Sequence, residues 1–257
     1  MTINQDYVKA FRYGIMFGKD IRPGTTSVIM SVIDENDILL AVKKAYIDMS
    51  PRTFKPKNDS EIDPDAKAKL LENIAERIKS YMQSGLSNVS FDDWHKELCE
   101  FFLNGDKAKG VKGLYDLLSD AGKDVGQATF GKAQKIVNMT FKYMYCFDNA
   151  DLYADRFEPC HMPLDSYILD WFFDCYKDKW SHPTNKKAKL THSGEYKLTV
   201  WSDLKYEMNG NDAIPQYKEI QDWIKRRLDS AATPVSRLEA EFVIWYEARN
   251  GIRPYTY

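Results

Sequence analysis

The chain has 257 residues, with 36 Lys and Arg against 38 Asp and Glu, a formal net charge of −2. Such a length can bury a sizeable core in one large domain or two modest lobes, and 44% hydrophobic with 29% charged content fits a soluble globular protein. A near-neutral balance excludes overall attraction to nucleic acid, so any DNA-binding surface must be a local patch.

No apolar run approaches the roughly 20 residues that span a bilayer. The start, MTINQDYVKAF, lacks the layout of a signal peptide. No membrane partner is therefore expected, and the expectation is a cytoplasmic, reduced protein in which Cys99, Cys146, Cys160 and Cys175 form no disulfide framework. Cys160-His161 would seed a zinc site only by tertiary proximity, because the spacings match no standard zinc motif. The reading calls for neither metal nor cofactor. Aromatic residues make up 14% of the chain, which suits thick helix packing or a pocket that stacks a flat ligand.

In chain order, residues 4–19 form a first helix with Val8, Phe11, Ile15 and Met16 on one side, and Arg22-Pro23-Gly24 breaks it. Residues 26–33 (TSVIMSVI) suit a short strand or a buried helix turn. A helix near 36–49 carries Ile38, Leu39, Val42, Ala45, Tyr46 and Met49, and residues 51–63 read as a polar surface loop. Asp63 then caps a helix with Pro64 in its first turn and Gly85 at its end. Ser90 opens the next, which carries Trp94, Leu98, Phe101 and Phe102 as far as Asn104-Gly105. A third covers 107–121 and ends at Gly122.

Residues 130–178 hold two apolar helices. Ala133, Ile136, Val137, Thr140, Phe141, Met144 and Tyr145 recur at three- and four-residue steps, which predicts a helix buried on most of its surface at the centre of the fold. Lys132 and Lys135 sit in its first turn, where the helix dipole disfavours cations. That placement suits bound phosphate, or a lysine that must be neutral and nucleophilic. The second helix follows Pro163, with Asp165 as its cap and Ile168, Leu169, Phe172 and Phe173 inward. Beyond it, Lys177, Lys179, Lys186, Lys187 and Lys189 interleave with Trp180 and His182, a composition that can hold a nucleic-acid backbone and stack a base. YKLTVW (196–201) alternates like a strand edge. Two helices close the chain: 214–228, and one that starts at Thr233-Pro234, in which Glu241 and Glu247 lie off the apolar face and read as solvated.

The central pair resembles the helix-hairpin-helix (HhH-GPD) DNA glycosylases, closest to their archaeal 8-oxoguanine branch. GKAQKIVN (131–138) is similar to the hairpin end with its catalytic lysine, and Pro163-Leu164-Asp165-Ser166 to the aspartate element. About 40 of the 257 residues carry the likeness, and no Gly-apolar-Gly directly precedes the lysine. The resemblance implies a mostly α fold: a single helical domain, two-lobed (about 1–125 plus the C-terminal helices, and 126–180), built around the central buried helix with at most a small β-hairpin or sheet. It implies excision of a damaged or modified purine from duplex DNA. Lys135 is then the nucleophile (Lys132 its substitute) and Asp165 the catalytic carboxylate. Lys132, Gln134, Asn138, Tyr143, His161 and Trp171 line the substrate pocket, with Tyr145 beside them, and Lys186, Lys187 and Lys189 bind DNA. Two further readings stand beside it: a helical binding module without catalysis, and a HEPN-type ribonuclease suggested by Arg156-x4-His161, against which Pro159 interrupts a continuous helix. No oligomeric state follows from the sequence.

Overall fold

The computed structural model describes residues 30–53, 62–176, 201–209 and 215–257. The expected helix at 4–19, residues 26–29, the basic stretch with Lys186, Lys187 and Lys189, and residues 196–200 lie outside it. Among the described residues the architecture is mostly helical: α1 (Glu35–Thr53), α2 (Pro64–Ser84), α3 (Phe91–Asn104), α4 (Leu114–Asp120), α5 (Phe130–Met144), α6 (Ala154–Phe157), α7 (Ser166–Cys175), α8 (Tyr217–Asp229) and α9 (Arg237–Asn250). None of these helices is long and apolar enough to cross a membrane. One two-stranded antiparallel sheet, β1 (Gly105–Asp106) with β2 (Val111–Lys112), pairs Gly105 with Lys112 and Asp106 with Val111.

Local chemistry sets the ends of these helices. Asp63 accepts from the Asp65 and Ala66 amides ahead of Pro64, and Ser90 accepts from the Asp93 amide. Asp165 accepts from Tyr167 and Ile168. Ser236 and Glu239 form a capping box, so α9 starts at Arg237 rather than at Pro234. The hairpin replaces the start of the helix expected over 107–121. Gly105 has φ +70 and a Cβ there would lie 2.2 Å from the Val111 carbonyl oxygen, so the chain turns back on itself and α4 forms only from Leu114. α1 continues to Thr53, across the first residues of the loop expected over 51–63, and residues 54–61 of that loop lie outside the described residues. Met30–Ile33 is neither strand nor helix: Val32 and Ile33 form a turn, and the Met30 and Val32 amides donate to Asp148 and Asn149 (2.8 and 2.9 Å).

α5 is the central element. It packs against α1, α3 and the 3-10 turn Trp201–Asp203, and all its side chains except those of Lys135 and Met139 are buried. Phe141 meets Tyr81, Phe91, Trp94 and Phe157 edge-on. Full burial of such a ring contributes about 1.5–3 kcal/mol. One contiguous apolar cluster runs from Met30 on the α1 side to Ile244 of α9.

Candidate functional site

The start of α5 is closed by the chain itself. Thr129 caps it, accepting from the Lys132 amide and donating its hydroxyl to the Ser202 carbonyl. The Gly131 amide donates to the Leu204 carbonyl (2.9 Å), and a Cβ on Gly131 would lie 2.1 Å from the Trp201 carbonyl oxygen. Only glycine lets the 201–204 segment lie this close. Lys132 is buried and its Nζ donates to the Gln127 carbonyl (2.6 Å); burial holds its amine below the ordinary lysine range. Lys135, one turn on, is half-buried with Nζ 4.2 Å from the centre of the Trp201 ring.

Gln134 joins this helix start to the start of α7. Its Nε2 donates to the Gly131 and Leu164 carbonyls (2.8 and 3.1 Å), and its Oε1 accepts from the Leu164 amide (3.4 Å). The residue after each clamped position is Lys135 on one side and Asp165 on the other. Asp165 uses Oδ1 to cap α7 and Oδ2 to accept the Trp245 indole N–H (3.1 Å). Behind it lies a buried ion pair, Lys142 with Glu241 at 2.5 Å, both side chains 2% exposed. Lys142 also approaches the Phe242 and Trp245 rings. Burial pushes the Glu241 carboxyl up to about 7; the Asp165 charge adds to that rise, while Lys142 and Lys135 oppose it. Glu241 and Glu247, expected in solvent, are buried: Lys142 partners the first, and the amide and hydroxyl of Thr256 the second.

From Gln134 a chain of polar groups runs on into the core through Asn138, one turn along the same face of α5. The partners fix its sense. His95 Nε2–H donates to Asn138 Oδ1 (2.8 Å), and Asn138 Nδ2 donates to Gln134 Oε1 (3.0 Å) and Tyr217 (2.9 Å). The Tyr217 hydroxyl donates to His161 Nδ1 (2.6 Å), and His161 Nε2–H donates to Asp92 (2.6 Å). Asn138, Gln134 and His95 are 0% exposed and His161 3%, whereas the Asp92 side chain is 46% exposed. Burial holds both imidazoles below the ordinary range, His161 at about 4, and the His161 hydrogen bond holds Asp92 down at about 2. Arg237 binds the Pro159 carbonyl and faces Asp92 at 3.8 Å. Asp92 and Arg237 line a cleft of about 890 Å³ with Asp155, Lys225 and Glu239; neither Lys135 nor Asp165 lines it.

The sequence-predicted residues therefore fall into groups. Gln134 ties the turn that bears Lys135 to the residue before Asp165, while the Lys135 amine lies over Trp201 and the Asp165 carboxylate bonds α7 amides and Trp245; Asn138, Gln134 and His161 share the buried chain. His95 was not singled out; its place in the apolar stripe of α3 with Phe91, Leu98 and Phe102 is the signal that marks it. Tyr143 is buried and turns to α1, donating to Asp48. Trp171 is buried and donates to the Tyr257 carbonyl (3.3 Å). Tyr145 donates to Glu239 (2.8 Å). Arg156 pairs with Asp155 in α6, which ends at Phe157, and His161 lies beyond Pro159. Cys160 donates to the Arg156 carbonyl, both ring nitrogens of His161 have partners, and no group of three metal-ligating side chains occurs among the described residues. The sequence matches no protein-family model, no curated protein and no solved structure.

Proposed function

We propose that this chain is a DNA base-excision glycosylase with lyase capacity, in which Lys135 is the nucleophile and Asp165 its partner carboxylate. The observation that carries this reading is the pair of hydrogen bonds between Gln134 and Leu164, which fixes the helix turn bearing Lys135 to the residue before Asp165. A damaged purine nucleotide would be drawn out of the duplex to this flank. The neutral Lys135 amine attacks the sugar C1′, the glycosidic bond breaks, and the base leaves with the bonding electron pair and takes up a proton. Asp165 stabilises the positive charge that develops on the sugar. Ring opening turns the lysine adduct into an imine, from which elimination cleaves the strand. Lys186, Lys187 and Lys189 supply the phosphate contacts that the net charge of −2 does not.

A second reading has its own support. Both Asp165 oxygens accept N–H groups of this chain, and the Gly131 amide is bonded within it. A binding module without catalysis needs no more than that. Release of 8-oxoguanine from a duplex oligonucleotide separates the two. The enzyme reading expects release by the wild type and its loss in Asp165→Asn at unchanged melting temperature. No release from any of a panel of altered purines would leave the module.

A further inference from the structure

A second pocket stands at the C-terminal end of α7, with neither Lys135 nor Asp165 in its walls. It holds about 600 Å³, the size of a small-ligand site, between Asp174 and Cys175 of α7, Arg227 of α8 and the segment with Arg253, Tyr255 and Tyr257. Its charges do not balance. Arg253 takes Asp174 at 2.7 Å, and among the described residues no carboxylate pairs with Arg227, whose Nε–H is buried without a partner. Each guanidinium lies by a phenol ring, Arg227 6.0 Å from the centre of Tyr176 and Arg253 4.7 Å from that of Tyr255. A guanidinium beside a ring face still offers the N–H groups of its own plane to an oxyanion. The dipole of α8 accounts for a cation in its last turn, but not for a second arginine brought beside it from beyond α9. Burial pushes the Cys175 thiol up, so it is wall rather than nucleophile. We propose that this pocket binds a mononucleotide, with the phosphate on Arg227 and Arg253 and the base against the tyrosine rings.

The pocket's surplus positive charge suits one phosphate, whose oxygens accept forked N–H groups and which is an anion at neutral pH. Tyr255 and Tyr257 supply flat apolar surface on which any base stacks. The site stands whether or not Lys135 excises a base. Isothermal titration of the full chain with deoxyguanosine 5′-monophosphate tests it. Deoxyguanosine and inorganic phosphate, each with half of that chemistry, are expected to bind about tenfold more weakly or worse. Arg227→Met and Tyr257→Leu should each weaken the nucleotide about tenfold at unchanged melting temperature. The proposal is overturned by a folded wild type that does not bind the nucleotide at millimolar concentration, by binding no tighter than that of phosphate, or by binding that Arg227→Met leaves unchanged. Should Arg227→Met not fold, phenylglyoxal labelling of the wild type decides: protection of Arg227 and Arg253 by the nucleotide supports the site, and equal labelling with and without it overturns the site. Competition by a 5′-phosphorylated oligonucleotide but not by its 5′-hydroxyl counterpart would place the phosphate on a strand end, and its absence on a free nucleotide; both keep the site.

Discussion

Gln134 and Leu164 hold each other by two hydrogen bonds, the side-chain amide giving to the Leu164 carbonyl and taking from its amide. A side chain of α5 thereby does for the 160–165 segment what a neighbouring strand would do, in a place where no strand runs. Gln134→Leu keeps the volume and leaves a buried carbonyl and a buried amide without partners. The expected cost is about 2–3 kcal/mol, read as a lower urea midpoint at unchanged m-value. A change under 0.5 kcal/mol would show that the segment is held by its apolar neighbours alone.

The buried histidines and Glu241 give stability opposite pH dependences. His161 folds with its pKa at about 4, below the ordinary value of 6.5, and His95 also lies low. Below pH 6.5 the unfolded chain binds protons that the folded chain does not, so their contribution is complete above pH 6.5 and is lost as pH falls below it, for His161 down to about 4. Glu241 is the reverse. Its folded value of about 7 exceeds the ordinary value of 4.5, so stability falls as pH rises from 4.5 to 7. Each group changes the slope by about 1.4 kcal/mol per pH unit inside its window. Two imidazoles against one carboxyl leave the wild type less stable at pH 5 than at pH 6.5. His161→Phe should flatten that slope and Glu241→Gln steepen it, measured by urea unfolding at each pH. Equal slopes in all three proteins would contradict the assignment.

Gly131 is where the 201–204 segment touches α5. Gly131→Ala should force the two apart and cost about 1–3 kcal/mol in thermal or urea unfolding. Because Trp201 would move with its backbone, its fluorescence should change as well. An alanine variant with wild-type stability and emission would show that the contact is looser than the 2.1 Å approach implies.

Lys142→Met strands the Glu241 carboxyl in the core, and a loss of about 3–5 kcal/mol is expected. Lys142→Met with Glu241→Leu removes both charges and should recover most of it. A double variant as unstable as the single would mean that the pair is favourable in itself.

What the sequence displayed was local. Asp63-Pro64, Ser90, Asp165 and Gly85 mark helix ends through contacts within a few residues, and the structure places caps at each. The inward stripe of α5 was legible because its spacing is that of one continuous helix. What escaped depends on distant partners. The period of α9 puts Glu241 and Glu247 off the apolar face, but Lys142 and Thr256 reach them from elsewhere in the chain. The hairpin at 105–112 has strands of two residues, too short for any alternation, and it is decided by the backbone of Gly105. His95 reads as one polar interruption in an apolar stripe until Asn138 and Tyr217 arrive from two other helices.

Borohydride trapping on duplex DNA with an abasic site tests the central claim most directly. Wild type should give a covalent adduct whose peptide map places the sugar on Lys135, with the adduct lost in Lys135→Gln and retained in Lys132→Gln. No adduct from a folded wild type, or one that survives Lys135→Gln, would contradict it.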